Sequence, residues 1–228
     1  MLSREKQQRV RVSLLVLTRI ASFAFFVAVI AMDFFYLKKN PRKWIFFLTN
    51  LSLLTGATYY AAGMSLPDKR AALPAMVFAF ECLYFKVFVF GLYVTVMYWL
   101  FMHSAILELY VRTSLQLSVS TMVHLQGLFS VTELLLNRIR ITFWHTIPTL
   151  CFMTAFMVFI TIGGVLNKKD GKTWFPYKAK TTSIDDHLFK ELVPLFLFFF
   201  LFFGLSWALH IKRNRYISGP MPTKKTLE

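Results

Sequence analysis

The sequence predicts an all-α membrane protein built as a bundle of six transmembrane helices. Of its 228 residues, 57% are hydrophobic and only 16% are charged, which is too few charged side chains to cover a water-soluble domain of this size. The mean hydropathy of +0.55 and the 26 phenylalanines agree with this class. Apolar runs of about 20 residues, which as helices cross about 30 Å of hydrocarbon, recur along the chain without the alternation typical of a β-barrel.

Short connections separate the predicted helices, except before the last one. The first run is too long for the apolar part of a cleaved signal peptide, so we expect it to remain as the first helix. The fourth run is the most polar of the six. Because the sequence has no linker, low-complexity tract or convincing repeat, residues 1–228 are predicted to form a single transmembrane domain. The predicted helices cover residues 12–37, 44–64, 73–101, 117–136, 143–166 and 192–211.

The formal net charge of +15 comes mostly from lysines and arginines between the apolar runs. Cations at these positions suit anionic lipid headgroups, so membrane lipids are the expected partners. No separate basic domain is present to bind nucleic acid, which is not an expected partner. The membrane side that holds both termini carries slightly more of the cations, which favours a cytosolic location for both termini.

A charged residue within an apolar run is expensive and requires a partner. Asp33 lies near the end of its run, close enough to reach the Lys38–Lys39 edge, and four others lie further inside: Arg19, Glu81, Lys86 and Glu133. Arg19 lies near enough to one end of its helix to reach the headgroups, and Glu133 is an alternative partner for Arg19 or Lys86. Glu81 and Lys86 are five residues apart, so they do not face each other on a helix. The four residues are compatible with a polar path through a small transporter or channel, although no inverted repeat supports one.

The sequence contains no recognisable motif for a metal or a cofactor. Cys82 and Cys151 lie singly within apolar runs and are expected to be reduced packing residues. His103, His124 and His145 are spaced too widely for the tight ligand clusters of zinc sites. We therefore expect neither a metal nor a cofactor, and for a lone histidine we expect an interface position or an interhelical hydrogen bond.

Thr49 and His124 are the candidate catalytic residues. A threonine in a membrane helix usually donates to the carbonyl one turn earlier, whereas a nucleophilic threonine requires a base that accepts its proton. His124 is the natural candidate base because it lies mid-chain in the polar fourth helix, close to Gly127, which permits close helix approach. Glu133 is nine residues further on, about 180° around a continuous helix, so it is not expected to orient His124.

Several short stretches of the chain form a recognisable set. Trp44 is followed by Phe47-Leu48-Thr49 at the head of the second predicted helix, and His124 lies on a helix that closes with Leu134-Leu135-Leu136-Asn137. A basic tail follows Ile211. The connection before the last helix contains Gly171, Trp174, Pro176 and Tyr177. This set resembles the androgen-induced protein family of multi-pass membrane threonine hydrolases.

The resemblance covers nearly the whole chain and implies a function. In that family, a threonine and a histidine on different helices cleave fatty acid esters of hydroxy fatty acids. By resemblance, Thr49 is the nucleophile, His124 is the base, a lipid ester is the substrate and the endoplasmic reticulum is the membrane. The sequence departs from the family at Thr121, where a second histidine is frequent, and at Phe129, where a proline is common.

Two other functions fit the same composition. A non-enzymatic structural subunit or assembly factor of a membrane complex accounts for the phenylalanine-rich sequence and for the lack of a soluble domain. A small transporter or channel accounts for the ionisable residues within the apolar runs. Stoichiometric membrane partners would favour the first alternative, and solute flux that depends on Glu81 or Lys86 would favour the second.

Overall fold

The structure, a computed structural model, describes residues 4–37, 47–65, 73–102, 113–166 and 193–218, and within these ranges all regular structure is helical. π-helical turns, Asp33–Leu37 and Tyr98–Met102, follow the first and third helices, and a 3₁₀ turn, Phe143–His145, precedes the sixth. The α-helices of the described ranges are α1 (Arg4–Met32), α2 (Leu48–Ser65), α3 (Pro74–Met97), α4 (Ser114–Val123), α5 (Gln126–Leu136), α6 (Ile147–Leu166) and α7 (Val193–Ser218).

Five helical stretches are long and apolar enough to cross a membrane, and α4 and α5 together form one of them. They are Lys6–Phe35, Pro74–Leu100, Ser114–Leu136, Phe143–Gly163 and Val193–Tyr216. Their length and composition support the predicted all-α membrane class. The second predicted helix, 44–64, is not among the five, because its described part, α2, is rich in hydroxyl-bearing and small side chains.

The observed helix ends differ from the predicted ones mainly near the two ends of the chain. α1 begins at Arg4, well before the predicted start at residue 12, and α7 continues to Ser218 rather than ending at residue 211. In both places a basic segment prolongs the helix beyond the apolar run. The reason is that hydropathy marks the part of a helix suited to hydrocarbon, whereas lysine and arginine are themselves good helix formers.

α3 is the central helix of the bundle. It packs against α2, α5, α6 and α7, while α2 lies between α1 and α3. Its side chains Tyr84, Phe85 and Phe90 are fully buried. α1 and α7 expose apolar side chains on the outside of the bundle, among them Leu17 and Leu201. Helices that are apolar on both their inner and outer faces are typical of proteins embedded in lipid.

The predicted fourth helix, 117–136, is interrupted, because α4 ends at Val123 and α5 begins at Gln126. At the break, side chains bind backbone carbonyls that would accept from backbone amides in a continuous helix. His124 Nδ1 lies 2.7 Å from the carbonyl oxygen of Ser120, and Gln126 Nε2 lies 2.8 Å from that of Val123. The prediction of one continuous helix is therefore wrong at this point, since local side-chain hydrogen bonds compete successfully with the helical ones.

Gly127, the second residue of α5, brings α5 against α3. Its amide donates to Thr95 Oγ1 at 2.8 Å instead of to the carbonyl one turn earlier. A Cβ atom on Gly127 would lie 3.0 Å from Thr95 Oγ1 and 3.2 Å from the carbonyl oxygen of Gly91. A Cβ atom on Gly91 would in turn overlap Ser130 Oγ. The close helix approach predicted at Gly127 is thus confirmed, and small residues on both helices permit it.

Candidate functional site

Thr49 is the second residue of α2 and lies in its first turn, half-buried. The sequence placed it about one and a half turns inside the helix, because the apolar run begins at Trp44; residues 44–46 lie outside the described part of the chain. Thr55 and Thr58, further along α2, donate back to the carbonyls of Leu51 and Leu54 in the usual way. Thr49 differs from them by its position at the helix start, where backbone amides have no carbonyl of their own helix to bind.

His124 lies at the break between α4 and α5. A carbonyl oxygen only accepts, so the contact with Ser120 requires the proton of a neutral imidazole to reside on Nδ1. The lone pair is then on Nε2, which is the arrangement that a base needs. The ring stacks on Tyr98 with the ring centroids 3.6 Å apart and the planes 6° apart. Tyr98 in turn shares a hydrogen bond with Ser120 Oγ, so the orientation of the imidazole is fixed on two sides.

Gln126 joins the start of α2 to the break that carries His124. Its Nε2 donates to the carbonyls of Val123, at 2.8 Å, and Thr49, at 3.4 Å, while its Oε1 accepts from Ser52 Oγ at 2.7 Å. The side chain is 1% exposed, and its bonds to Ser52 and Val123 are fully buried. The backbones at Thr49 and next to His124 therefore lie within reach of a single amide group.

Gln126 was not among the predicted site residues, although its position in the sequence indicates that it forms buried hydrogen bonds. An amide side chain two residues after His124, within an apolar run, requires buried hydrogen-bond partners. Its partners Ser52 and Thr49 are on α2, so they depend on how α2 packs against the break. No local sequence pattern predicts that packing.

Leucine in place of Gln126 is expected to destabilise the protein by about 1–3 kcal/mol, because it keeps the side-chain volume but leaves Ser52 and two backbone carbonyls without this partner. The measurement is the midpoint of thermal unfolding in detergent. Alanine in place of Ser52 removes only one of the bonds and should lower the midpoint less. A Gln126→Leu variant as stable as the wild type would show that the bridge contributes nothing to the fold.

A second polar cluster lies within the bundle, around Arg19 and Glu133. Arg19 donates to Glu133 Oε1 from Nη2 at 2.6 Å and from Nε at 3.1 Å. The Tyr59 hydroxyl donates to the same oxygen at 2.5 Å, and Arg19 Nη1 donates to the carbonyl of Gly63 at 3.2 Å. The alternative in which Glu133 pairs with Arg19 is thus confirmed. The pair ties α1, α2 and α5 together, and Arg19 does not extend to the headgroups.

Glu81 pairs with His145, at the turn before α6. The backbone amide of Thr142 donates to His145 Nδ1, so His145 carries its proton on Nε2, which lies 3.1 Å from Glu81 Oε2. This is the interhelical hydrogen bond expected for a lone histidine. Lys86 has yet another environment, above the ring of Phe152. Within the described residues the four membrane-depth charges therefore occupy three separate contacts, which do not form one polar path.

A third polar cluster, which the sequence did not reveal, joins α3 and α7 to the end of α5. His210 Nδ1 donates to the carbonyl of Ser206, so its Nε2 accepts from the hydroxyl of Tyr84 at 3.1 Å. Arg213 donates to Tyr84 at 3.1 Å and to Oδ1 of Asn137 at 2.9 Å. Asn137 is the C-cap of α5, where a cation also compensates the helix dipole.

The remaining candidate residues contribute little to a site. In the part of the chain that the structure describes, no three histidine, cysteine or acidic side chains are grouped to hold a metal ion. Cys82 is buried, as expected of a packing residue, whereas Cys151 is exposed on α6. Among the other predicted positions, His103 and the connection with Gly171, Trp174, Pro176 and Tyr177 lie outside the described residues.

The fold defines the class of this protein as an all-helical protein with membrane-length helices. Comparisons with known protein families, with curated proteins and with solved structures give no match to this chain. The support for a function therefore comes from the geometry around Thr49 and His124 and from the sequence resemblance.

Proposed function

We propose that this protein is a multi-pass membrane lipid hydrolase that cleaves fatty acyl esters, such as fatty acid esters of hydroxy fatty acids, with Thr49 as nucleophile and His124 as base. The observation that supports this most is the Gln126 bridge, since one buried amide binds both the backbone of Thr49 and the residue preceding His124. The two residues are 75 positions apart and lie on different helices.

The tautomer of His124 suits the role of a base. With the Nδ1 proton held by the Ser120 carbonyl, Nε2 accepts the proton of the Thr49 hydroxyl as Oγ1 attacks the ester carbonyl carbon. The imidazolium then gives that proton to the leaving alkoxide, which departs as an alcohol and leaves an acyl-threonine ester. Water, deprotonated by His124, attacks this ester, and the fatty acid leaves as Thr49 Oγ1 recovers a proton.

The setting proposed for the reaction is the bilayer itself. A lipid ester has an apolar surface, and the outer face of the bundle is lined with exposed apolar side chains, so the substrate reaches the protein from the lipid. We include in the proposal the endoplasmic reticulum membrane and cytosolic termini. Arg11 and Arg213 support a common side for both ends of the chain, because each binds the C-terminal end of α5.

Covalent labelling tests the proposal directly. A fluorophosphonate probe, which reacts with activated hydroxyl groups, is expected to modify Thr49, because His124 makes this hydroxyl nucleophilic. Mass spectrometry of the purified protein locates the adduct. Alanine in place of His124 should slow labelling strongly, whereas alanine in place of Thr58, an exposed threonine on the same helix, should leave it unchanged. Labelling of another residue, or labelling of Thr49 at the same rate without His124, would refute the proposed pair.

A further inference from the structure

Two exposed arginines lie on a short extended segment, residues 137–142, which joins α5 to the turn before α6. The backbone is extended at both ends of this segment, with ψ angles of 167° and 169°. Between the ends the side chains alternate, with Ile139 and Ile141 buried in the bundle. Arg138 and Arg140 are exposed. Alternate residues of an extended chain share one side and are about 7 Å apart, so the two arginines lie side by side on the surface.

The extended segment is held in place from its buried side. Arg213 of α7 donates to the carbonyl of Ile139. The next residue, Asn214, donates to the carbonyl of Ile141 at 2.7 Å. The backbone amide of Ile139 donates to Oδ1 of Asn137 at 3.2 Å. Because these bonds fix the backbone, the spacing of the two exposed arginines is set before any ligand binds, which lowers the entropy cost of binding.

The positive charge of this surface is not balanced by nearby acidic residues of the sequence. Residues 134–166 and 193–218, which include the extended segment, α6 and α7, contain no aspartate or glutamate. Arg138 also lies close enough to Arg11 of α1 for the two charges to repel each other. Within the part of the chain that the structure describes, neither Arg138 nor Arg140 takes part in a hydrogen bond or an ion pair. An anion between the two guanidinium groups would therefore be bound favourably.

The aromatic residues that follow place the extended segment at the surface of the membrane. Phe143 and Trp144 are 58% and 66% exposed, and they begin the membrane-length stretch Phe143–Gly163. Exposed tryptophan at the end of a membrane helix is typical of the headgroup level. Arg138 and Arg140 come a few residues earlier in the chain, so they lie at the depth of the lipid phosphates.

We propose that Arg138 and Arg140 bind the headgroup of one anionic phospholipid, with its phosphate between the two guanidinium groups. A guanidinium offers paired N–H donors that match two oxygens of a phosphate, and the fixed backbone presents two such groups together. The ligand has a net negative headgroup, because in a zwitterionic lipid the ammonium group offsets the charge of the phosphate.

A lipid fits this surface better than a free phosphate ion does. The exposed rings of Phe143 and Trp144 lie next to the two arginines in the chain and offer apolar surface to acyl chains. The site differs from the general attraction of basic residues to a lipid surface, because it holds a single lipid at a fixed place. It is separate from Thr49 and His124 and does not depend on any hydrolytic activity of the protein.

The test is native mass spectrometry of the full-length protein, released from micelles that contain equal amounts of phosphatidylglycerol and phosphatidylcholine. We expect the wild type to retain one phosphatidylglycerol molecule in preference to phosphatidylcholine. Glutamine in place of both Arg138 and Arg140 should lower the fraction of protein with bound phosphatidylglycerol about tenfold or more, since two charge-assisted contacts with the phosphate are lost.

The matched control is glutamine in place of both Lys212 and Arg215, exposed residues near the end of α7. Arg213 and Asn214 bind the extended segment, so this control removes the same charge from the same end of the bundle. It should retain phosphatidylglycerol like the wild type. Equal loss in the two double variants would overturn the proposal, because the lipid would then respond only to the overall charge of the surface.

Two further results would also overturn the proposal. One is unchanged retention of phosphatidylglycerol when both arginines of the extended segment are glutamine. The other is displacement of the lipid by an equal concentration of glycerophosphoglycerol, the same headgroup without acyl chains, since a free phosphate ester would then suffice. Misfolding does not explain the expected loss, because exposed side chains without hydrogen bonds contribute little to stability, and the variant should unfold at the wild-type temperature.

Discussion

Alanine in place of His124 is expected to lower the rate of ester hydrolysis by about 10²- to 10⁴-fold, because the Thr49 hydroxyl then loses the group that accepts its proton. Alanine in place of Thr49 should reduce the rate at least as far. The double variant should be no slower than the slower single variant, since a nucleophile and its base act as one unit. The measurement is the release of fatty acid from a hydroxy fatty acid ester by purified protein in lipid vesicles.

The controls separate chemistry from folding. Thr58→Ala changes the same residue type on the same helix, at an exposed position that donates only to the carbonyl of Leu54, and should hydrolyse at the wild-type rate. Thermal unfolding of each variant shows whether the bundle is intact, since the ring of His124 also stacks on Tyr98. Folded Thr49→Ala and His124→Ala proteins that hydrolyse at the wild-type rate would end the hydrolase proposal.

The helical membrane class was predictable because it depends on composition alone. A run of apolar residues as long as the one in α1 or α7 has few alternatives to a membrane helix, since only helices and closed barrels satisfy the backbone in lipid. The ends of these helices were less predictable. Arg4 and Ser218 mark where α1 begins and α7 ends, and basic residues that hydropathy excludes are helical at both ends.

The break at His124 and Leu125 was not predictable from the sequence. It depends on the side chains of His124 and Gln126, which bind the carbonyls of Ser120 and Val123, and on Thr95 of another helix, which receives the amide of Gly127. The apolar pattern continues through the break, so periodicity contains no sign of it. Because the helix is broken between His124 and Gln126, the angle of about 180° expected between His124 and Glu133 on a continuous helix does not hold.

For the charges at membrane depth, the need for partners was predictable, but the identity of most partners was not. The need for partners was predictable, because each isolated charge in hydrocarbon is expensive, and Glu133 was foreseen as a partner for Arg19. The partner of Glu81 is a histidine in the turn before α6, and Lys86 lies above an aromatic ring. These contacts depend on how α3 and α6 pack, which the sequence specifies only through the whole fold. The pairing of Thr49 with His124 is a prediction of the same kind, and the Gln126 bridge is its structural support.

Leucine in place of Glu133 is expected to be among the most damaging substitutions for stability, costing about 3–5 kcal/mol. The guanidinium of Arg19 would stay in the bundle without its carboxylate, and the Tyr59 hydroxyl would lose its acceptor. Glu133 is 1% exposed and the side chain of Arg19 is 12% exposed, so little water is available to replace the lost contact. The measurement is the free energy of unfolding in mixed micelles with increasing denaturing detergent.

The decisive comparison is the double variant Arg19→Met with Glu133→Leu. If the pair acts as a unit, removing both charges should restore most of the stability lost with Glu133 alone, because well-packed apolar side chains replace a buried ion pair at little or no cost. Methionine in place of Arg215, an exposed arginine at the end of α7, should leave stability unchanged. A double variant as unstable as the sum of its single variants would mean that Arg19 and Glu133 stabilise the bundle independently, and the ion pair would then not be what holds α1 to α5.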